Sequence, residues 1–451
     1  MTQAKSDPQS TTQRVFAAKA VWLRCFSSVA APTGVGSFVT PCRPAFSPKT
    51  APLGILRQAL TITLISLAGL LAFATRVNAA MTFVHPGAMS SKEELDFVKA
   101  RIAAGAQPWS GSFQKMLPLA TPYTKSTAPL DLGKANENEQ KEEAKKAYAN
   151  ALAWYFTGNE TYAKNAIAVF KVWANTFAGY RYANPLNPDS NQSQLDCAWI
   201  GALLGPAAEI LRGYSGWAPA DMAAVQNMFK TKFYPDLNLM SVWNGNIDLT
   251  QIDAMMNIAV FNEDEAEFNL GLARMAKRDQ AYFYLSTDPA SYRFYGGLSD
   301  ASWYKPAKWV DGLTQETCRD NDHHAQYALA SALHAAEVAW HQGVDVYTPN
   351  EKRFREALEL MSTQIWTGRM QGTCGNDTTT PDRFDTFEVG YNHYHNRKGI
   401  DLPNTWKAIT QEIRPKGQSD WNIFFETLTH GDLFISNPVS ANGNASGTRG
   451  R

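Results

Sequence analysis

The segment QETCRDNDHHAQYAL, residues 315–329, gathers three acids, an arginine, two adjacent histidines and a tyrosine immediately before an apolar run. At 3.6 residues per turn, Arg319, His323 and Gln326 or Tyr327 fall on one helical face, while Asp320, His324 and Tyr327 share the neighbouring stripe. Two uses fit such a grouping. One is a capped helix start, with Asp320 or Asn321 as the cap and the histidines on a solvated face. The other is a site where proton-transfer groups and a cation converge on a ligand.

Three further clusters carry similar potential. In WNGNIDL, Asn244 and Asn246 flank Gly245 just ahead of a helix, where they serve either as a turn with an N-cap or as amides offered to a carboxylate. In YNHYHNR, residues 391–397, two tyrosines, two histidines and Arg397 occupy seven positions. If that stretch is extended, Tyr391, His393 and His395 face one side and Tyr394 the other; in a turn, both tyrosines can line a cleft. The third group, Trp303, Tyr304 and Trp309, suits either a sugar-stacking rim or a loop anchor.

His323, His324, His393 and His395 raise the question of a metal. Adjacent histidines diverge on a helix, and the chain has no H-E-x-x-H or facial-triad spacing, so no metal ligands are assigned. Nucleophile-elbow, Walker and dinucleotide fingerprints are absent as well, which removes support for acyl transfer, nucleotide hydrolysis and hydride transfer. No cofactor is expected.

The elements that must position these groups are helical. Ser91 with Glu94 three residues on forms a capping box ahead of the apolar stripe Leu95, Val98 and Ile102. Helical periodicity recurs in NEQKEEAKKAYANALAWYFTG, ETYAKNAIAVFKVWANTF, QLDCAWIGALLGPAAEILRGY, PADMAAVQNMFKTKFYPDL, IDLTQIDAMMNIAVFN, EAEFNLGLARMAKRDQAYFYL and NEKRFREALELMSTQIW. The QETCRDNDHH segment continues as one helix to about His341. Strand-type alternation is almost missing. Long helices joined by brief turns bury their apolar faces by pairing antiparallel, and a row of such pairs curves into a ring, so an all-α (α/α) toroid, an incomplete helical barrel, is expected, with a globular bundle as the alternative. Long loops rich in Trp, Tyr and His separate some pairs, and loops of that length in a compact domain tend to carry function.

The chain has 451 residues, 44% of them hydrophobic, enough for a large core. Its first 80 residues differ, with eight basic side chains against the single acid Asp7. Near their end, LGILRQALTITLISLAGLLAFATRVNAA combines a basic residue, an apolar run and a V-N-A site, the three parts of a secretory signal with cleavage near Ala79 or Ala80. An uncleaved anchor is the lesser reading, and what precedes the signal reads as an upstream extension of the gene. The expected organisation is a leader over residues 1–80, a catalytic domain over 81–435 and a flexible tail over 436–451, in a secreted or periplasmic protein. Without the leader the net charge is −7, since eight of 42 basic and one of 42 acidic residues leave with it. A non-specific binder of nucleic acid or anionic membrane should be basic, so neither nucleic acid nor stable membrane insertion is expected. Cys197, Cys318 and Cys374 remain, from which one pair can form after export.

E-x-C-R-D-x-x-H before an Ala-rich helix, N-G-N before an earlier helix, and Y-N-H-Y-H-N-R before D-x-P-N-T together resemble the alginate lyase superfamily of (α/α) toroid polysaccharide lyases, in particular polysaccharide lyase family thirty-eight, over roughly residues 85–435. The resemblance implies cleavage of a 1,4-linked uronate polymer, alginate or glucuronan, by β-elimination. In such chemistry a uronate carboxylate is neutralised, a base takes the C5 proton and an acid protonates the departing O4. By resemblance, Asn246 is a neutraliser with Arg319 and His323 as its partners, and Tyr391 or Tyr394 is the acid/base, Tyr391 narrowly preferred. His323 as base beside a tyrosine acid is a further arrangement, and Tyr327 is the rival tyrosine. Where relatives have one histidine followed by Thr, His324 here follows His323, which leaves the assignment between them open. Asn244, His324, Tyr327, Trp303, Trp309, His393 and Arg397 complete the expected contacts to an anionic polysaccharide. Two other classes compete: a glycoside hydrolase using Asp320 and Glu316 with a water, and a non-catalytic carbohydrate-binding protein.

Overall fold

A computed structural model describes residues 81–129, 137–180, 191–241, 244–321 and 323–434. All of them fall within one compact unit; the leader and tail expected from the sequence lie outside the described residues. The long helices are α1 (Lys92–Ala103), α2 (Trp109–Met116), α3 (Glu137–Thr157), α4 (Glu160–Thr176), α5 (Asn191–Leu211), α6 (Pro219–Met228), α7 (Gly245–Asn262), α8 (Glu265–Tyr282), α9 (His324–His341) and α10 (Tyr347–Thr367). Among the described residues no β-strand occurs, only isolated bridges, so the all-α expectation holds.

Local chemistry sets the helix ends. The Ser91 hydroxyl accepts from the Glu94 amide while the Glu94 carboxylate accepts from the Ser91 amide, the predicted capping box at α1. Asn159 and Asp264 cap α4 and α8 with their side chains. Because Gly158 and Asn159 alone separate α3 from α4, and Glu263 and Asp264 alone separate α7 from α8, each pair must fold back antiparallel.

The packing then generates the ring. The helices α3, α5, α7 and α9 touch in that order and form an inner row; α4 packs outside α3, α8 outside α7 and α10 outside α9, and α4 also contacts α6. Burial follows this division. Every residue of α7 is buried, and so is almost all of α9, as required of helices enclosed on all sides. Close approach of α5 to α7 depends on small residues, since a Cβ at Gly205 would lie 2.9 Å from the Asn257 Cβ. The buried carboxylate of Asp248 on α7 is paired with Arg274 and Arg278 of α8, with 2.7 Å between its Oδ2 and the Arg278 Nε.

Two sequence expectations fail here. The 315–341 segment is not one helix: a short helix, Thr317–Asp320, ends, and α9 restarts at His324 after a break in which His323 has φ −146° and ψ −46°. Arg319 therefore shares no continuous helical face with Tyr327. The stretch 391–397 is neither extended nor a turn but helical, Glu388–Tyr391 running into a π-helical Asn392–Arg397. Its wider turn packs residues of that stretch into the core against α9 and α10.

Cys318 and Cys374 form a disulfide with Cα atoms 5.4 Å apart, and Cys197 is free and buried. The bridge ties the start of the His-containing segment to the loop after α10. Among the described residues no helix is long and apolar enough to cross a membrane.

Candidate active site

The first turn of α7 is the floor of the site. Asn244 occupies the N-cap position, yet its side chain caps nothing; its Oδ1 instead accepts from the Tyr304 hydroxyl at 2.8 Å. Gly245 donates its amide to Gln315 Oε1 at 2.9 Å. A Cβ on Gly245 would fall 2.4 Å from that same oxygen and 2.4 Å from the Tyr282 ring, so this position requires glycine for close approach. Asn246 accepts from the Ile247 amide through Oδ1 at 2.8 Å and donates from Nδ2 to the Tyr327 hydroxyl at 3.0 Å. N-G-N is therefore a helix start whose side chains reach outward to two tyrosines rather than cap.

Glu316 braces the arrangement. Fully buried, it accepts from the Tyr282 hydroxyl at 3.0 Å, the Asn246 amide at 3.3 Å and Arg319 Nη1 at 2.5 Å. Burial pushes its pKa up, against the opposing charges of Arg319 and His324. Its contact fixes the Arg319 guanidinium, which reaches solvent and lies 5.7 Å from the Tyr304 ring centre. Burial opposes the charge on Arg319, but the Glu316 carboxylate outweighs it and holds the guanidinium pKa above its ordinary value.

The histidines sit at the rim, partly exposed. His324 Nδ1 pairs with the Asp320 carboxylate, and the His324 ring lies 5.2 Å from that of Tyr327. Burial raises the Asp320 pKa, but the hydrogen bond and charge of His324 more than offset it, so the carboxyl is held below its usual value. His323 stacks on Trp421 at 6.0 Å with planes 14° apart. Tyr327 is fully buried; burial and the Glu316 charge push its phenol well above its ordinary pKa, against the pull of Asn246 and Arg319. It is a neutral phenol, a proton donor, in this environment.

Trp421, which no sequence pattern marked, completes the rim. It packs on Trp199 at 4.5 Å, and Lys141 Nζ lies 3.9 Å from its ring centre. Its neighbour Asn422 is anchored in the ring interior, donating to Ser331 Oγ at 2.8 Å and Asp253 Oδ2 at 3.1 Å. Tyr304 and Trp421 both have left-handed backbone, φ 55° and 56°, a conformation that non-glycine side chains adopt at a cost and that concentrates at functional positions. Sequence reasoning grouped Tyr304 with two tryptophans and missed Trp421, Trp199, Lys141 and Tyr282. Trp421, Trp199 and Tyr282 stand in no polar cluster, Lys141 is one of several charges in ENEQKEEAKK, and only chain closure brings them together.

Of the expected site residues, Asn244, Asn246, Arg319, His323, His324 and Tyr327 converge. The YNHYHNR residues do not. Tyr391 stacks between His395 (4.7 Å) and Trp406 (5.1 Å), and burial pushes its phenol up to about 12. Tyr394 is buried against Tyr347. His393 stacks 3.6 Å from the Tyr347 ring, and burial pushes its imidazole down to about 3. Arg397 is taken up by Glu94 at 2.8 Å and Glu337 at 2.9 Å. These four are core residues, because the short helix that ends at Tyr391 and the π-helical segment that follows it pack on α9 and α10 and turn them inward. Trp303 is likewise buried, 5.1 Å from Trp309, and anchors its loop; Trp309 is exposed beside Arg293 in a separate surface cleft with Tyr284, Asp300 and Lys305.

Residues 106–281 match the family described as Alginate lyase. Among solved structures, alginate lyase A1-III from Sphingomonas species A1 shares 12% identity at a TM-score of 0.52, covering 78% of this chain and 97% of that chain. A tyrosine-to-phenylalanine variant of A1-III complexed with tetrasaccharide gives 14% and 0.55, covering 78% of this chain and 98% of that one. A histidine-to-alanine variant, also complexed with tetrasaccharide, gives 14% and 0.53, covering 78% and 96%. No curated protein sequence gives a significant match. The shared fold is the (α/α) toroid, and the resemblance to the alginate lyase superfamily rests on both the family match and this architecture. The matched stretch includes Asn246 and stops short of Arg319.

Proposed function

We propose that this chain is a polysaccharide lyase that cleaves a 1,4-linked uronate polymer of the alginate or glucuronan type by β-elimination, acting outside the cytoplasm. The observation that carries the reading is the convergence of a donor amide, a guanidinium, a neutral phenol and an aspartate-paired histidine at the start of α7 and α9. Removing the C5 proton of a uronate is hard because the adjacent carboxylate is already ionised. Arg319 and Asn246 are the groups to neutralise it and to stabilise the charge that builds on its oxygens. The Asp320 carboxylate holds Nδ1–H of His324, which leaves Nε2 as the base for the C5 proton. As the C4–O4 bond breaks and the C4=C5 double bond forms, the Tyr327 phenol donates its proton to O4. Trp421 and Tyr304 offer aromatic faces for flanking sugars, and Lys141 a cation near the chain's carboxylates.

A helical-toroid hydrolase needs two available carboxyl groups flanking a water. Glu316 is fully buried and accepts from three donors, which disfavours that role. The test is to incubate the purified chain separately with polymannuronate, polyguluronate and glucuronan and to follow ultraviolet absorbance. Rising absorbance on one polymer would report unsaturated uronate ends and name the substrate. New reducing ends without absorbance would replace elimination with hydrolysis, and neither signal would leave carbohydrate binding as the function.

A further inference from the structure

The objection to a metal at His323 and His324 was that neighbouring positions on a helix point their side chains about 100° apart. That objection does not hold for this backbone. His323 lies outside α9, with φ −146° and ψ −46°, and its ring comes to rest 4.4 Å from the ring of His324, the planes 35° apart. Both rings face the same carboxylate. His324 Nδ1 contacts Asp320 Oδ2, and His323 Nε2 lies 3.6 Å from that oxygen. One ligand atom from each of Asp320, His323 and His324 lies within 4.8 Å of the other two.

We infer that Asp320, His323 and His324 form a binding site for a divalent transition-metal ion of the zinc class. Imidazole nitrogen and carboxylate oxygen are the donors that Zn²⁺ prefers, at metal–ligand distances near 2.0–2.2 Å, which put neighbouring tetrahedral ligands about 3.3 Å apart. The 3.6 Å separation between His323 Nε2 and Asp320 is close to that spacing. A ligating histidine is usually oriented by a carboxylate on its other nitrogen, and His323 has one: Asp382 Oδ2 lies 3.7 Å from its Nδ1. Three protein ligands leave a position for water, and all three side chains are partly exposed, so an ion can enter from solvent.

A second cluster, with two carboxylates and one histidine, does not have the same capacity. Glu94, Glu337 and His430 are also grouped tightly enough for an ion. There the carboxylates already pair with Arg397 and His341, which occupy the positions a cation would take. Among the described residues no lysine or arginine forms an ion pair with Asp320, and Arg319 is held by Glu316.

The consequence rests on the functional reading above. Zinc bound here ligates Nδ1 of His324 in the tautomer that carries its proton on Nε2, and takes the carboxylate of Asp320, so that Nε2 no longer has a lone pair for the C5 proton. The ion is therefore an inhibitor of elimination rather than a cofactor.

The experiment is calorimetric titration of ZnCl₂ into the purified, tag-free full chain in a non-chelating buffer, with melting curves as a check on folding. The expected result is an equivalent of zinc per chain whose binding weakens in Asp320→Asn and in His323→Gln by at least the roughly 10–100-fold that loss of an outer-shell partner costs, with His395→Gln unchanged. No saturable binding, or equal affinity in Asp320→Asn and the parent, overturns the site. Zinc should also abolish elimination, and chelation should restore it. Binding without inhibition would overturn the competition and keep the site. Absence of elimination on any uronate, with zinc removed, would sink the functional reading while the calorimetry still decides the metal site.

Discussion

The amide of Asn246 donates to the phenol oxygen of Tyr327 across 3.0 Å, joining the first turn of α7 to the first turn of α9. Both residues are buried, so this bond lies beneath the histidines and Trp421 and couples the group assigned to carboxylate neutralisation to the group assigned to proton donation. On the proposed function, Tyr327 at the start of α9, and not a tyrosine of the YNHYHNR segment, is the proton donor.

Tyr327→Phe should therefore lower kcat by about 10²–10⁴, the range for loss of a general acid, while costing only about 1–3 kcal/mol of stability for the buried Asn246 donor left without its partner. Tyr391→Phe should keep a near-parental rate. Absorbance assays on the two variants decide between the tyrosines, and the reverse pattern would return the role to Tyr391.

Asn246→Ala removes one donor to the developing charge and should reduce kcat by about 10²-fold or more, as for single oxyanion donors elsewhere. KM should change less than kcat. An unaltered kcat would reduce Asn246 to a scaffold for the α7 terminus.

Arg397 is predicted to matter for folding and not for turnover. It bridges Glu94 of α1 and Glu337 of α9 in a buried network that also takes in His341 and Tyr347. Arg397→Met leaves two buried carboxylates with too little positive charge and should cost about 3–5 kcal/mol in denaturant unfolding. A large fall in kcat at full stability would show instead that Arg397 meets substrate.

His393 sets part of the acid limit. Its folded pKa is about 3 against an ordinary 6.5, because of burial first and the charges of Arg397 and Lys398 next. Between those values the unfolded chain binds a proton that the folded chain refuses. The corresponding stability is complete above about pH 6.5 and is lost as pH falls toward 3. His393→Gln should flatten the stability profile over that window in chemical denaturation at stepped pH; an identical slope would exclude His393. His341, raised to about 10 by Glu94 and Glu337 despite burial, works oppositely: its contribution is complete below 6.5 and lost as pH rises through 10.

What could be read from residues alone was whatever depends on neighbours in the chain. The capping box at Ser91, the two-residue turns and the helical periods of α3 to α8 are local, and the structure has them. The grouping of Asn246, Arg319 and the histidines was also legible, because each sits in a dense polar motif. Hidden were the features that depend on distant partners. The break before His324 arises where Asp320 turns back to accept from the His323 amide at 3.4 Å. YNHYHNR resembled a cleft because its polar groups were counted without Tyr347, Glu337 and Glu94, which absorb them. Trp421 stands alone in its own segment and gains its place only by stacking on Trp199 and His323.

The rim draws on Lys141, Asn246, Arg319, His324 and Trp421, residues spread along most of the ring, and its last member is held through Asn422 to Ser331 and Asp253. That spread has a consequence for how the molecule comes into being. A chain emerging from the ribosome can form the α3–α4 and α7–α8 hairpins as each is released, yet it owns no complete cleft until the segment around residue 422 has followed. The order of synthesis thus makes the cleft the late product of a ring whose hairpins are already in place.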